Sequence, residues 1–263
     1  MPNGAVRRDP FWNTKMAGKA EEPIFIRRRI SHYNAMAKLD LDEENRATIR
    51  RLLAKAERKL EVATAADAES FPVVCVGGSA GGLDAYTRLL KHLPTDVGAA
   101  IVIVKHLRIV ATQLHEILPR YTTMPVELIT ERLVLLPDHV FIIPAGRDLH
   151  VLDGEFRLLP ISKPRGWSDV ITVFLRSLTQ HWDGKIVAVI VSGYDGDGAA
   201  ALCGIKEVGG ITIAQRPDTA GQPDMPESAI ASGFVDFVLS PEDIARKIVS
   251  LIAGTPRGSH DGP

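Results

Sequence analysis

From Phe71 to Ala253 the chain alternates short apolar runs with amphipathic segments, and this alternation constrains the fold more than any other feature. The runs are residues 73–76, 99–104, 126–129, 140–143, 186–191, 211–214 and 234–238. Most are continuous and β-branched, as strands covered on both faces are. Between them, residues 83–93, 111–120, 169–181, 199–208, 227–232 and 241–253 have helical spacing. The pattern predicts a three-layer α/β fold: a doubly wound, mostly parallel sheet flanked by helices. Residues 137–160 break the rhythm. They read as a small β-hairpin insertion at one edge, with 139–143 turning at 144–146 into 149–152, and Asp153-Gly154 turning that segment into 156–159.

The chain ahead of this region has a different texture. Residues 1–23 carry Pro, Gly and Lys without periodicity and read as a disordered lead. Ile24, Ile26, Ile30 and Tyr33 begin an apolar stripe, and Ile49, Leu52, Leu53, Ala56, Leu60 and Val62 continue it after a turn near Leu39–Asp42. This predicts a helical hairpin over 24–63, with helices 24–37 and 42–63, a linker over 64–70, the α/β domain over 71–253 and a disordered tail over 254–263. Alone the hairpin is too thin to bury much core, so it is expected to dock or to self-associate.

Composition removes several classes. Apolar residues make up 45% of the 263, too many for a disordered chain. No apolar run reaches the roughly 18 residues of a membrane-spanning helix. Residues 1–21 lack the apolar stretch of a secretory signal, so a cytoplasmic location and no stable membrane insertion are expected. Residues 1–61 hold fourteen Lys and Arg against nine Asp and Glu, although the whole chain has net charge −1. A solvated helix face accounts for that bias, and no nucleic-acid partner is expected. Cys75 and Cys203 sit in apolar stretches and read as packing residues rather than as a disulfide or a metal site. No metal or organic cofactor is expected.

The chemistry concentrates in three strand-end segments. Val73 to Gly82 is a strand, a glycine-rich turn and a helix start. It lacks the lysine of a phosphate-binding loop, and Ser79 stands where a dinucleotide fingerprint needs glycine. It does fit Gly-x-Ser-x-Gly over 77–81, a turn that lifts a serine hydroxyl above a sheet while the helix behind offers backbone amides to an oxyanion. The expectation is a strained backbone at Ser79, with Gly78 and Ala80 beside it. A serine nucleophile needs a base. His106 ends the next run, where open sheets gather functional groups; His92, His115, His139, His150 and His181 lie elsewhere and are weaker candidates. The base needs an acid. The run 186–191 leads into Ser192-Gly193-Tyr194-Asp195-Gly196-Asp197-Gly198, which offers two. Asp197 could equally be the N-cap of the helix that follows, and Asp195 a turn residue. Spacing alone does not choose between them.

These segments resemble the catalytic domain of the CheB family of chemoreceptor methylesterases. The resemblance rests on Gly77-Gly78-Ser79-Ala80-Gly81-Gly82, His106, Leu136-Pro137-Asp138-His139-Val140 leading to Pro144-Ala145-Gly146, Ser192 to Ala199, and Ala214-Gln215 followed by Met225-Pro226-Glu227-Ser228-Ala229. It covers about residues 71–253. It implies a Ser79, His106, Asp197 triad, and so selects Asp197 over Asp195. It also implies hydrolysis of glutamate methyl esters on methyl-accepting chemoreceptors, glutamine deamidation in some members, and a separate methyltransferase as functional counterpart. Residues 81–83 and 233–238 look closer to methylesterase domains fused to methyltransferases than to stand-alone response regulators. Two departures stand out. Ala80 replaces a residue that is often hydroxylic, and Tyr194 an apolar one, often Met. Residues 1–70 are too short for the receiver domain that regulated members carry upstream, so control by phosphorylation in cis is not expected. Oxyanion donors are expected near Ala80 and Tyr194, and Arg165 is a candidate for steering acidic receptor surfaces. Two other readings stay open: a non-catalytic binding module on the same fold, and a general small-ester hydrolase.

Overall fold

The computed structural model describes residues 30, 33–34, 36–37, 43–67, 71–106, 113–162 and 169–253. The expected lead over 1–23, the tail over 254–263 and Arg165 lie outside them. The chain divides into two compact units, Met1–Thr64 and Ala65–Pro263.

In the first unit the residues described within 24–37 are mostly helical, and the Ala37 amide donates to Tyr33 O at 2.9 Å. A long helix, α1 (Glu43–Asp67), replaces the predicted helix 42–63 and runs into the segment read as a linker. The reason is local: residues 61–67 hold three alanines and no Gly or Pro, so nothing stops the helix. Ile49 and Ala56, seven residues apart on one face, are buried.

The second unit is built on seven strands: β1 (Val73–Gly78), β2 (Ala100–Lys105), β3 (Val126–Leu128), β4 (Val140–Ile142), β7 (Ile186–Ile190), β8 (Ile211–Gln215) and β9 (Phe237–Leu239). They pair in the order β3-β4-β2-β1-β7-β8-β9, and every pairing is parallel. β1 lies between β2 and β7, so the chain leaves it to one side and returns on the other. Such a switch opens a crevice at the carboxyl ends of the strands.

Alternate strand residues feed two cores, because side chains alternate across a sheet. Val73, Cys75, Ala188 and Ile190 pack under α4 (Val170–His181), α5 (Leu202–Glu207) and α6 (Asp224–Ala231). Val74, Val76, Ile101 and Val189 pack under α2 (Gly82–Lys91), α3 (Leu114–Ile117) and α7 (Pro241–Ala253). Arg88 of α2 holds α7 through Glu242, with Nε 2.6 Å from Oε1 and Nη2 3.0 Å from Oε2.

Two sequence expectations need correction. The run 140–143 does not turn back into a hairpin with 149–152. β4 lies inside the parallel sheet, in register with β2 and β3. The hairpin is β5 (Arg147–Leu152) with β6 (Glu155–Pro160), a separate two-stranded sheet. It lies against α4 rather than at a sheet edge: Ser177 Oγ takes the Val151 amide at 2.9 Å, and Phe156 stacks edge-on to Phe141 with centroids 5.1 Å apart. The last strand starts at Phe237, not at 234. Gly233 has φ 78°, and the Asp236 carboxylate accepts from the Thr212 amide and from Lys206, so residues 233–236 form a bonded turn before pairing begins.

Candidate active site

Three strand ends meet at the crevice. Ser79 follows β1, His106 follows β2, and residues 192–197 follow β7. Strands β2 and β7 flank β1, so the order of the sheet puts both loops beside the serine.

Glycines let the turn at Ser79 close against its surroundings. A Cβ on Gly77 would lie 2.6 Å from Ile171 Cγ2, so the first turn of α4 presses on the strand end. Gly81 has φ 73° and starts α2 from a left-handed conformation that glycine takes without strain. The strain expected at Ser79 is absent, since Ser79 has no positive φ and Gly81 absorbs the turn instead. The Ser79 amide donates to Ser192 O at 2.9 Å. Ser192 is buried and ties the turn down: its hydroxyl donates to Ala80 O at 2.8 Å and accepts the Gln222 amide at 2.9 Å. The Ser192 amide in turn donates to Gln215 Oε1 at 3.0 Å. Gly78 is buried at the end of β1, Ala80 is half-buried, and Tyr194 is 47% exposed.

His106 and Asp197 are joined, with Nε2 and Oδ2 2.7 Å apart. Asp197 is buried, and it does not cap the helix after it. It caps α4, 26 residues back in sequence: Oδ2 accepts the Ile171 amide at 2.8 Å and Oδ1 the Thr172 amide at 2.9 Å. A carboxylate at a helix N-terminus gains from the exposed amides and the helix dipole. Burial pushes the Asp197 carboxyl up, but the bonds from His106, Thr172 and Ile171 outweigh it and hold it below the ordinary value.

The ring of His106 has a second acidic neighbour. Nδ1 stands 3.2 Å from Asp195 Oδ2 without forming a hydrogen bond. Burial favours the neutral ring, yet the Asp197 bond and the charges of Asp197, Asp195 and Asp169 prevail and raise the pKa above the ordinary 6.5. No hydrogen bond joins His106 to Ser79: Asp197 engages Nε2 and Nδ1 makes none. His92 and His139, weaker candidates from sequence, are held by backbone carbonyls of Arg88 and Pro137 at 2.8 Å each.

The amide supply is uneven. The Gly193 amide is spent on Gln222 O at 3.0 Å. Among the described residues the amides of Ala80 and Tyr194 have no acceptor. Cys75 is buried in the sheet, where burial pushes its thiol far up, and Cys203 is half-buried; both are free. Sequence reasoning missed Ile171, Thr172, Ser192, Gln215 and Gln222. Ser192 lay within a quoted motif, but nothing in its spacing marked it as the tie between the two loops.

The CheB methylesterase family profile matches residues 74–248. A Burkholderia thailandensis relative named protein-glutamate methylesterase/protein-glutamine glutaminase 4 is 34% identical over 183 residues, covering 69% of this chain and 54% of the relative. The chain thus spans about half the length of the curated Burkholderia relatives it matches. A Leptospira interrogans relative is 31% identical over 184 residues, which cover 69% of this chain and 95% of that protein. Among solved structures, the crystal structure of the Thermotoga maritima CheB methylesterase catalytic domain superposes with TM-score 0.61 at 25% identity, covering 68% of this chain and 98% of that one.

Proposed function

The chain belongs to the CheB methylesterase family, and on that premise we propose that it is a serine hydrolase of glutamate methyl esters on methyl-accepting chemoreceptors. Ser79 is the nucleophile, His106 the base and Asp197 the acid that orients the base. The observation that carries the reading is the bond from His106 Nε2 to a buried Asp197, at the strand end beside the one that Ser79 terminates.

The chemistry follows from which nitrogen is engaged. Asp197 fixes the tautomer with hydrogen on Nε2, so Nδ1 carries the lone pair that takes the Ser79 proton. Ser79 Oγ attacks the ester carbonyl. The unused amides of Ala80 and Tyr194 are the candidate donors to the oxyanion. His106 then passes the proton to the departing methoxide, which leaves as methanol. Water, activated by the same ring, clears the acyl-enzyme and leaves a glutamate carboxylate. A methyltransferase is the class of enzyme that would supply the ester. Glutamine deamidation is the same acyl transfer with ammonia as leaving group, and the names of the Burkholderia relatives support it as a second activity.

Three substrates test this reading: a receptor-like helix bearing a glutamate methyl ester, the same helix bearing glutamine, and a small chromogenic ester. The methyl ester is expected to be cleaved fastest, as followed by mass spectrometry. Equal turnover of the small ester would favour a general hydrolase. No turnover of any of the three would favour a module that only binds. The N-terminal hairpin reading adds self-association, which light scattering with and without residues 1–65 checks.

A further inference from the structure

The loop after β7 carries a carboxylate to which the triad gives no task. Asp195 adopts φ 140°, which residues with a Cβ rarely take and glycine takes freely. Its Oδ1 accepts the Asp197 amide at 3.0 Å, which fixes the side chain. Its Oδ2 is thereby left 3.2 Å from His106 Nδ1, and both of these buried atoms lack a hydrogen bond. Strained backbone, fixed orientation and an unsatisfied oxygen beside the ring coincide in one residue.

We propose that Asp195 is a second acid of the site, a positioning residue acting through His106: it faces the nitrogen that must take the Ser79 proton, favours the imidazolium form at rest, and so sets the pH at which the base is free. The inference rests on the reading of Ser79 and His106 as nucleophile and base. Three carboxylates act on the ring: Asp197 on Nε2 and Asp195 on Nδ1 from the β7 loop, and Asp169 at longer range from the start of α4. Lys105 precedes the ring on β2. Asp195 itself is pushed up by burial, against the pull of the Asp197 amide and His106. In acylation the ring must begin neutral and end as imidazolium. A carboxylate at Nδ1 disfavours the first state and stabilises the second, so it raises the acid limb of the rate profile without lowering the plateau.

Asp195→Asn keeps an oxygen for the Asp197 amide and removes the charge, while Asp195→Gly relieves the backbone and serves if the first variant does not fold. The His106 ring proton is titrated by NMR in the whole chain, assigned by its loss in His106→Ala. It is expected to titrate about one pH unit lower in either variant, the low end of what an adjacent opposite charge produces. The acid limb of kcat/KM should move down with it by about one pH unit. An unmoved titration, or an unmoved limb in an active variant, overturns the proposal. The titration needs no turnover, so failure of the esterase reading would show as absent hydrolysis with the ring shift still measurable.

Discussion

The Ile171 amide and the His106 ring share one oxygen of Asp197, Oδ2, at 2.8 and 2.7 Å. The position of this carboxylate is therefore set by two parts of the chain. The β7 loop supplies the carboxylate, and the first turn of α4 fixes where it points.

Replacing Asp197 by Asn keeps the size and removes the charge. Its single oxygen could accept only one of the two α4 amides, and it would no longer fix the tautomer with hydrogen on Nε2. A fall in kcat on the order of 10³–10⁴ is expected, with KM little changed. Steady-state kinetics on a methyl ester checks it, and a fall of less than tenfold would remove Asp197 from the proposed role.

The two shifted groups give opposite stability signatures. Asp197 has a lowered pKa, so its contribution is present above the ordinary carboxylate value and is lost as pH falls through the folded value. His106 has a raised pKa, so its contribution is present below about 6.5 and is lost as pH rises through the folded value. Melting temperature against pH should therefore fall at both ends, and His106→Gln should flatten the alkaline side and also weaken the acid side, because the His106 bond is one of those that hold Asp197 low. In activity, the acid limb should lie above the ordinary histidine value.

Gly77 tests the contact between strand and helix. In Gly77→Ala the new Cβ meets Ile171 Cγ2 at 2.6 Å. Ile171 has to shift, and its amide shifts with it, away from Asp197 Oδ2. A stability loss of about 1–3 kcal/mol is expected from overpacking. A fall in kcat is expected with it, whereas Gly78→Ala, whose Cβ would meet the Tyr86 hydroxyl, Val191 and the Ser192 oxygen that takes the Ser79 amide, should disturb the serine turn itself. Denaturant melts and kinetics on the two variants decide this.

Phe141 separates folding from chemistry. It is fully buried and lies edge-on to Phe156, joining the sheet to the β5–β6 hairpin. Phe141→Ala should cost about 3–5 kcal/mol. The pH limbs should stay where they are in whatever fraction remains folded. A shifted acid limb would mean that the hairpin helps to set the site.

Much of this architecture was legible because its strands are unusually explicit. Val73–Gly78, Ala100–Lys105 and Ile186–Ile190 are buried runs with little choice of conformation, and their ends locate Ser79, His106 and the acidic loop. Val140–Ile142 was harder. Three apolar residues read equally well as a hairpin arm or as a parallel strand, and only the pairing with β2 and β3 decides. Phe237 was displaced by side-chain bonds at Asp236 that periodicity cannot register. At the site, the positions of Ser79 and His106 followed from strand ends, while the choice of Asp197 came from family resemblance. Its seat on Ile171 and Thr172 was not legible, because it joins segments 26 residues apart through backbone amides, which carry no sequence signal. The relaxed backbone at Ser79 escaped for a related reason: the motif contains several glycines, and the sequence does not say that Gly81 is the one to take the left-handed turn.

Ser79 is the proposed attacking group on a glutamate methyl ester. The most direct measurement is methanol release from a methylated chemoreceptor fragment by the wild-type chain beside Ser79→Ala, with both shown to be folded. Release by the wild type that vanishes in the variant is the expected result. Equal release by both, or none from the folded wild type, would rule out Ser79 as the nucleophile for such an ester.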